Sequence, residues 1–305
     1  MSIKSLRDSF GEALVTEGEI NKNIVAVSCD LKNACKLDKF FKTFPKRSFE
    51  VGIAEANGIG IATGLALSGF RPFIASFGSF IMGKNIEIRT SISYNLAPVV
   101  VVGTHGGLIG ADGATQAALQ DIGVMRSIPD FEVFQPCSEV DVKELMRYVV
   151  NSHKPTYLRI GRNEIEEFLD KNHKFSLGKP NLIKKGLKKM VISSGPMVIN
   201  CLKAIQAIEN NDDFGLLNIT SLKPLNEKLL LDYLVDYETI ITVEDHLIQC
   251  GLGTIISEIF SRNSFYKPIK MHGLSNEFIE SDTPSKLEKH YQLDVEGIKN
   301  IIINT

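Results

Sequence analysis

Three features of this 305-residue sequence predict an α/β fold with two doubly wound domains. Its length is enough for two domains of ordinary size, each with a core of its own. Short β-branched apolar runs alternate with helical patterns, which is typical of mainly parallel sheets. A basic, polar stretch from 171 to 189, broken by Gly178 and Pro180, interrupts this alternation and indicates an exposed connector or a hairpin edge. We therefore expect domains at 1–172 and 189–305 with a linker at 173–188.

The order of the expected elements follows from the same patterns. In the first domain, apolar runs predict strands at 24–28, 71–76, 98–103, 132–135 and 157–160. Helical patterns predict helices at 6–17, 55–68, 85–93, 115–125 and 138–151. Ser138 should cap the last of these, because a serine hydroxyl can accept from an amide of the first turn.

The smaller second domain repeats the alternation. Strands are expected at 191–194, 214–218, 239–244 and 269–272. Helices are expected at 198–208, 227–234 and about 253–260, followed by a helical tail.

Charge and composition exclude several classes of function. With 34 basic and 36 acidic residues there is no electrostatic footprint for nucleic acid. No apolar run reaches 18 residues without a charge and the N-terminus lacks a signal-peptide core, so neither a membrane span nor secretion is expected. Five scattered cysteines without a CxxC pair favour a reducing compartment and no zinc site. We expect a cytoplasmic protein.

Glu55 is the most informative residue. It lies in an apolar, glycine-spaced stretch, 49–75, in which only Glu50 and Arg71 also carry charge. A buried carboxylate is costly, so it is usually paired, neutralised or used, although a simple charge at a helix N-terminus would also explain it. The glycines at 58, 60 and 64 superficially match a dinucleotide fingerprint, but they lie inside the expected helix, where small residues more often permit close packing.

Three further segments follow predicted strands, where open parallel sheets bind ligands. Ser76–Phe80 (SFGSF) offers two phenylalanines that could face a planar heterocycle or belong to the core. Residues 103–115 (GTHGGLIGADGAT) hold one histidine and one aspartate among five glycines, which suits close approach to a ligand more than a plain connection. Arg162 stands just beyond a strand and offers a fork for phosphate or carboxylate, or a surface ion pair.

Taken in order, these segments closely resemble the C-terminal half of the transketolases. GIAEAN (52–57) is similar to the segment with the cofactor-activating glutamate, FGSF (77–80) to the aromatic segment and THGGLIGADGATQ (104–116) to the substrate loop. LKPL (222–225), VEDH (243–246) and GLG (251–253) resemble the C-terminal domain. The resemblance covers nearly the whole chain. It implies a thiamine-diphosphate pyrimidine-binding domain followed by a transketolase C-terminal domain.

The resemblance also implies an activity. A two-carbon ketol unit would pass from a ketose to an aldose with thiamine diphosphate as cofactor. Glu55 would be the carboxylate that activates the cofactor, and His105 a second catalytic residue. The implied cofactor contacts are Glu55, Phe77, Phe80 and Asp30. The implied substrate contacts are His105, Asp112, Gln116, Arg162 for a phosphate, and Arg7 as a weaker candidate.

A metal-binding Gly-Asp-Gly…Asn motif of this cofactor class is absent from the sequence. We therefore expect Mg²⁺ or Ca²⁺ to be held by a separate N-terminal transketolase subunit carrying that motif, in an α2β2 assembly. The sequence also departs from the family at Gln116, Gly83 and Ala34, which stand where a histidine, a tyrosine and a serine are usual. These departures leave the sugar or keto-acid substrate open.

Three other interpretations remain. The chain could be the beta subunit of a 2-oxo-acid dehydrogenase, which usually has a differently written glutamate motif. It could resemble 1-deoxyxylulose-5-phosphate synthase, although the THGG segment with His105 favours transketolase. It could also be a noncatalytic scaffold subunit that has kept the fold.

Overall fold

Two mainly parallel sheets organise the protein in the computed structural model, which describes residues 3–305. The strands are β1 (Ile3–Ser5), β2 (Ile24–Ser28), β3 (Ser48–Glu50), β4 (Arg71–Phe77), β5 (Val100–Gly106), β6 (Glu132–Phe134), β7 (Thr156–Gly161), β8 (Glu164–Glu166), β9 (Asn181–Lys184), β10 (Lys189–Ser193), β11 (Phe214–Asn218), β12 (Ser221–Lys223), β13 (Thr239–Leu247) and β14 (Ile269–Leu274). The helices are α1 (Leu6–Ile20), α2 (Asp38–Thr43), α3 (Glu55–Leu67), α4 (Gly78–Met82), α5 (Asn85–Glu87), α6 (Asp121–Arg126), α7 (Glu139–Asn151), α8 (Met197–Gln206), α9 (Glu227–Leu234), α10 (Leu252–Arg262), α11 (Pro284–His290) and α12 (Val295–Asn304). A π-helical segment, Ile88–Ser93, follows α5 directly.

The first sheet has seven strands in the order β12-β6-β7-β5-β4-β2-β3. From β3 to β6 every neighbouring pair is parallel. Successive residues of β4 face opposite sides: Phe73 packs in the cluster formed with α1 and α7, whereas Ile74 packs in the cluster formed with α3. Both faces of the sheet are therefore covered by helices, and its strands read as continuous apolar runs.

The second sheet has five strands in the order β14-β13-β10-β11-β9. Its pairs are parallel except for β9, which lies antiparallel to β11 at one edge. Helices α8 and α12 pack on one face and α10 on the other. Since β9 falls inside 173–188, part of the stretch expected as a linker forms an edge strand of this sheet.

The two sheets are joined by a strand that crosses between them. β12 follows β11 in sequence, yet it pairs antiparallel with β6 and completes the first sheet. One apolar cluster also runs through both halves, from Ile59 and Val133 to Ile192 and Ile256. The second half of the chain therefore packs directly on the first.

The predicted α/β architecture is confirmed, but the helix predicted at 115–125 is wrong in its first part. Residues 107–120 form a loop, and α6 begins only at Asp121. Gly107, Gly110 and Gly113 adopt φ angles of 84°, 96° and 78°, a region that L residues rarely adopt. Ala118 bridges back to Gly106 at the end of β5, so the loop is tied to the sheet instead of entering a helix.

None of the helices within residues 3–305 combines the length and the apolar character that a membrane crossing requires.

We predict opposite effects of the same substitution at two glycines of α3. A Cβ at Gly58 would lie 2.9 Å from Ile74 Cδ1, whereas a Cβ at Gly60 meets no atom within 4 Å. Gly60→Ala should raise the free energy of unfolding by up to about 1 kcal/mol, because alanine is the better helix former. Gly58→Ala should lower it by about 1 kcal/mol or more, because overpacking outweighs that gain. Denaturant titration of the two variants checks this, and equal stabilities would contradict the packing described.

Candidate functional site

The parallel pairing of β4 with β5 gathers polar and aromatic groups at one edge of the first sheet. In this register Ser76 lies beside Gly103, and Phe77 lies beside Thr104. The next residue of β5 is His105, which is 3 % exposed and adopts a positive φ of 61°. This left-handed conformation is uncommon for a residue with a side chain, and such outliers often occur at functional sites.

Glu55 lies at the same edge as the first residue of α3. Its side chain is 8 % exposed, and Ser76 Oγ donates to Glu55 Oε1 at 2.9 Å. No second hydrogen bond to this carboxylate is present within residues 3–305, so one oxygen is open to a ligand. Neighbouring thiols are inert: burial, with a contribution from the Glu55 charge, raises the pKa of Cys29 to about 12 and that of Cys35 to about 11.

Aromatic rings stack in front of this carboxylate edge. Phe77 and Phe80 lie with ring centroids 5.3 Å apart and planes 18° apart. The Phe77 ring also lies on the His105 imidazole, at a centroid distance of 3.7 Å. Phe77 and Phe80 are only half-buried, so they offer a ring surface to a planar ligand.

The hydrogen bonds of His105 assign its tautomer. Arg7 Nη1 donates to His105 Nε2 at 3.4 Å, so the ring proton is on Nδ1 and is donated to Thr104 Oγ1 at 3.0 Å. Burial, with further contributions from the Arg7 and Arg162 charges, lowers the pKa of His105 to about 3. The imidazole is therefore neutral at physiological pH, and Nε2 is an acceptor on the side of the arginines.

The two predicted arginines lie on either side of this acceptor. Arg7 Nη1 also donates to the Ala34 carbonyl at 2.8 Å, while its Nε is buried and has no partner in the described part of the chain. Burial and the Arg162 charge lower the pKa of Arg7. Arg162 forms an ion pair with Asp112 and donates to the Ile109 carbonyl at 3.3 Å. The predicted Asp112 thus neutralises part of the Arg162 charge.

Asp30 and Gln116 lie at the rim of this arrangement. Asp30 is exposed at a φ of 61° after β2, and its amide donates to Glu50 Oε1 at 2.6 Å. Gln116 takes part through its backbone, since its carbonyl accepts from Ser79 Oγ at 2.9 Å. Across residues 3–305 no hydrogen bond links the Asp30 or Gln116 side chain to the other predicted site residues.

Two contributors do not stand out in the sequence. Ser76 holds Glu55, and Thr104 holds His105 and donates in turn to the Ser76 carbonyl at 3.3 Å. Both hydroxyls lie in otherwise apolar strands, and that isolated polarity is the signal by which they could have been found.

The VEDH and GLG segments have structural roles. Glu244 accepts from the Leu252 and Gly253 amides at 2.6 and 2.8 Å and so caps the N-terminus of α10. His246 Nε2 accepts from the Ile122 amide at 3.2 Å, so Nδ1 carries the proton and donates to the Leu247 carbonyl at 2.9 Å. Because the imidazole is fully buried, its pKa is lowered to about 4.

Residues 3–305 contain no group of three or more His, Cys, Asp or Glu side chains placed to hold a metal ion. The five cysteines are free thiols.

Comparisons with known proteins match both halves of the chain. The family model described as transketolase, pyrimidine binding domain, matches residues 3–167, and the transketolase C-terminal domain model matches residues 178–298. A putative transketolase C-terminal section from Methanocaldococcus jannaschii is 32 % identical over 98 % of this chain and 96 % of its own length. One of the two subunits of an apulose-4-phosphate transketolase from Phocaeicola vulgatus is 31 % identical over 96 % of this chain and 94 % of its own length.

Two further comparisons bear on the fold and on the alternatives. A solved structure described as a split gene transketolase, inactive beta4 tetramer, superimposes with a TM-score of 0.90 at 30 % identity, covering 99 % of this chain and 98 % of its own. A 1-deoxy-D-xylulose-5-phosphate synthase from Caldanaerobacter subterraneus is 29 % identical over 98 % of this chain. The chain spans only 48 % of that synthase.

We predict that His246 contributes to acid sensitivity. Its native pKa lies below its unfolded value near 6.5, so the stability it supports is present above that pH and is lost as the pH falls toward 4. The loss approaches roughly 1.4 kcal/mol per pH unit for this one site. In His246→Gln, which keeps an acceptor and a donor but cannot titrate, the melting temperature should fall less steeply between pH 7 and pH 5 than in the wild type.

His153→Gln is the matched control, because His153 is exposed. Its melting profile should follow the wild type. An unchanged slope in His246→Gln would contradict the assignment of a neutral, buried imidazole.

Proposed function

Because this chain belongs to the transketolase family, we propose that it is the second subunit of a split, thiamine-diphosphate-dependent transketolase. Its reaction is the transfer of a two-carbon ketol unit from a ketose or ketose phosphate to an aldose acceptor. The order of the pyrimidine-binding and C-terminal domains supports this, as does similarity over nearly full length to a protein named as a subunit of an apulose-4-phosphate transketolase.

The observation that carries the proposal is the Glu55 carboxylate. It is buried, fixed through one oxygen by Ser76, and has its other oxygen free of hydrogen bonds from residues 3–305, beside half-buried aromatic rings. This set suits an aminopyrimidine: the open oxygen would pair with a ring nitrogen, and Phe77 and Phe80 would lie against the ring. Thiamine diphosphate supplies the electron sink for breaking and forming the carbon–carbon bond. Glu55 would hold and return the proton that the ring nitrogen requires.

The arginine side of the site suits a substrate with hydroxyl and phosphate groups. His105 Nε2 would accept from a substrate hydroxyl, since the imidazole is neutral and its proton is on Nδ1. Arg162 and Arg7 would hold the phosphate, Arg162 by exchanging its Asp112 partner for the phosphate oxygens. Asp112 would then be free to accept from a sugar hydroxyl. Asp30 and Gln116, at the rim, would contact cofactor and substrate only as they enter.

The partner would be an N-terminal transketolase subunit that carries the Gly-Asp-Gly…Asn motif and holds Mg²⁺ or Ca²⁺ with the diphosphate. A docking surface for it begins beside Glu55. We call it the α3 face: Ile53, Gly60, Gly64, Leu67 and Ile86. Ile53 is 84 % exposed, and nothing lies within 4 Å of a Cβ placed on Gly60 or Gly64. Exposed apolar surface of this kind marks protein interfaces, and the two glycines permit close backbone approach. An α2β2 assembly in the cytoplasm completes the proposal.

A second candidate is a synthase of the 1-deoxyxylulose-5-phosphate type, which the 29 % identity over nearly the whole chain favours. Assays of the reconstituted complex separate the two. Ketol transfer between sugars supports a transketolase, whereas consumption of pyruvate would support the synthase or a 2-oxo-acid dehydrogenase. A noncatalytic scaffold would show neither activity.

We predict that Glu55→Gln lowers kcat of the reconstituted enzyme at least about 10²-fold, because an amide cannot hold and return the proton. The amide oxygen can still accept from Ser76, so the variant should keep its fold and its association with the partner. Ketol transfer from a ketose phosphate to an aldose, with circular dichroism and size-exclusion chromatography alongside, measures both.

Glu19→Gln, an exposed residue of α1, is the control for loss of one carboxylate and should retain wild-type kcat. Wild-type kcat in Glu55→Gln would overturn the role assigned to Glu55.

A further inference from the structure

Arg159 is a fully buried cation that joins three segments of the chain. It lies in the middle of β7 and is 1 % exposed. Nε donates to the two carboxylate oxygens of Asp121 at 3.2 and 3.1 Å, and Nη1 donates to Asp245 Oδ1 at 2.8 Å. Nη2 donates to the carbonyls of Ala118 and Asp245 at 3.0 and 3.2 Å. Asp245 belongs to β13 of the second sheet, so one guanidinium links the two halves of the protein.

The same guanidinium holds the loop that carries the substrate-facing residues. The Ala118 carbonyl accepts from both Arg159 and the Gly107 amide, the latter at 3.0 Å. The Ala118 amide donates to the His105 carbonyl at 3.2 Å. Arg159 is therefore connected to the His105 backbone through a single residue, Ala118.

No space separates this cluster from the loop backbone. A Cβ at Gly106 would lie 2.9 Å from Arg159 Nε, and a Cβ at Gly107 would lie 1.8 Å from Asp245 Oδ2. The two residues after His105 thus rest on the Arg159–Asp245 pair, and both have to be glycine. A shift of Asp245 would be transmitted directly to the loop, because a packed interior leaves no room to absorb it.

We propose that Arg159 is a positioning residue through which Asp245 of the second domain sets the place of His105 and its loop. This inference rests on the proposed function in one respect only, that His105 faces the substrate. It gives the second domain a task in the reaction without contact between that domain and the cofactor edge. Arg159 and Asp245 act through His105 and do not touch the reacting atoms.

The test uses Asp245→Ala and Asp245→Asn, with Ser194→Ala as the matched control. The asparagine variant keeps an acceptor for Arg159 Nη1 but loses the charge. Ser194 Oγ donates to Gln135 across the same interface at 3.1 Å without contacting the loop. The readouts are hydrogen exchange of the loop amides in the chain alone, and kcat and KM of the reconstituted enzyme.

In Asp245→Ala the Gly107 and Ala118 amides should exchange about tenfold faster or more, while the amides of β10 stay protected. kcat should fall by on the order of 10²-fold, because misplacement of a positioned group by about 1 Å has an effect of that size. Asp245→Asn should recover part of both losses, and Ser194→Ala should match the wild type.

Wild-type loop exchange in a folded Asp245→Ala variant would overturn the proposal. Faster loop exchange with unchanged kcat and KM would overturn the positioning role as well. If Asp245→Ala does not fold, Asp245→Asn decides, with unchanged loop exchange as the contradicting result. The exchange measurement needs no turnover, so it distinguishes failure of this inference from failure of the proposed function.

Discussion

The parallel register of β4 and β5 is the constraint on which the site depends. It sets Ser76 beside Gly103 and Phe77 beside Thr104, and so brings the hydroxyl that holds Glu55 next to the ring that lies on His105. Slipping this pairing by one residue would turn each of these side chains to the opposite face of the sheet. The apolar residues of both strands are buried on both faces by helices, and that burial opposes such a slip. The core and the site are therefore specified by the same pairing.

Charge distribution divides the site into two regions with different tasks. Around Glu55 there are neutral thiols, a serine and aromatic rings, and the carboxylate is the charged group that meets a ligand there. Around His105 two arginines and Asp112 form a polar region suited to phosphate and hydroxyls. Neither region holds a metal-ligand cluster within residues 3–305. A diphosphate and its metal would therefore be held by groups outside these residues, which is why a second subunit is part of the proposal.

Local patterns in the sequence are sufficient for the architecture and for most of the residues that gather at the site. Apolar strands such as β2, and helix starts such as Ser138, which accepts from the Asp141 amide, depend on neighbouring residues only. The helix prediction fails in the loop at 107–120, because its Ala, Thr and Gln resemble a helix while its backbone bonds go to β5. The Asp112–Arg162 pair, the proton on His105 Nδ1 and the contact of Arg159 with Asp245 depend on residues that are distant in the sequence. Such contacts follow from tertiary packing, which one sequence without its fold does not reveal.

The central claim is that this chain holds half of a cofactor site. Calorimetric titration of thiamine diphosphate with Mg²⁺ tests it most directly, first into the isolated chain and then into the chain mixed with its N-terminal partner. The account predicts no binding tighter than about 1 mM by the isolated chain and binding at least about 10²-fold tighter by the mixture, a difference of roughly 2.7 kcal/mol. Tight binding by the isolated chain would contradict it.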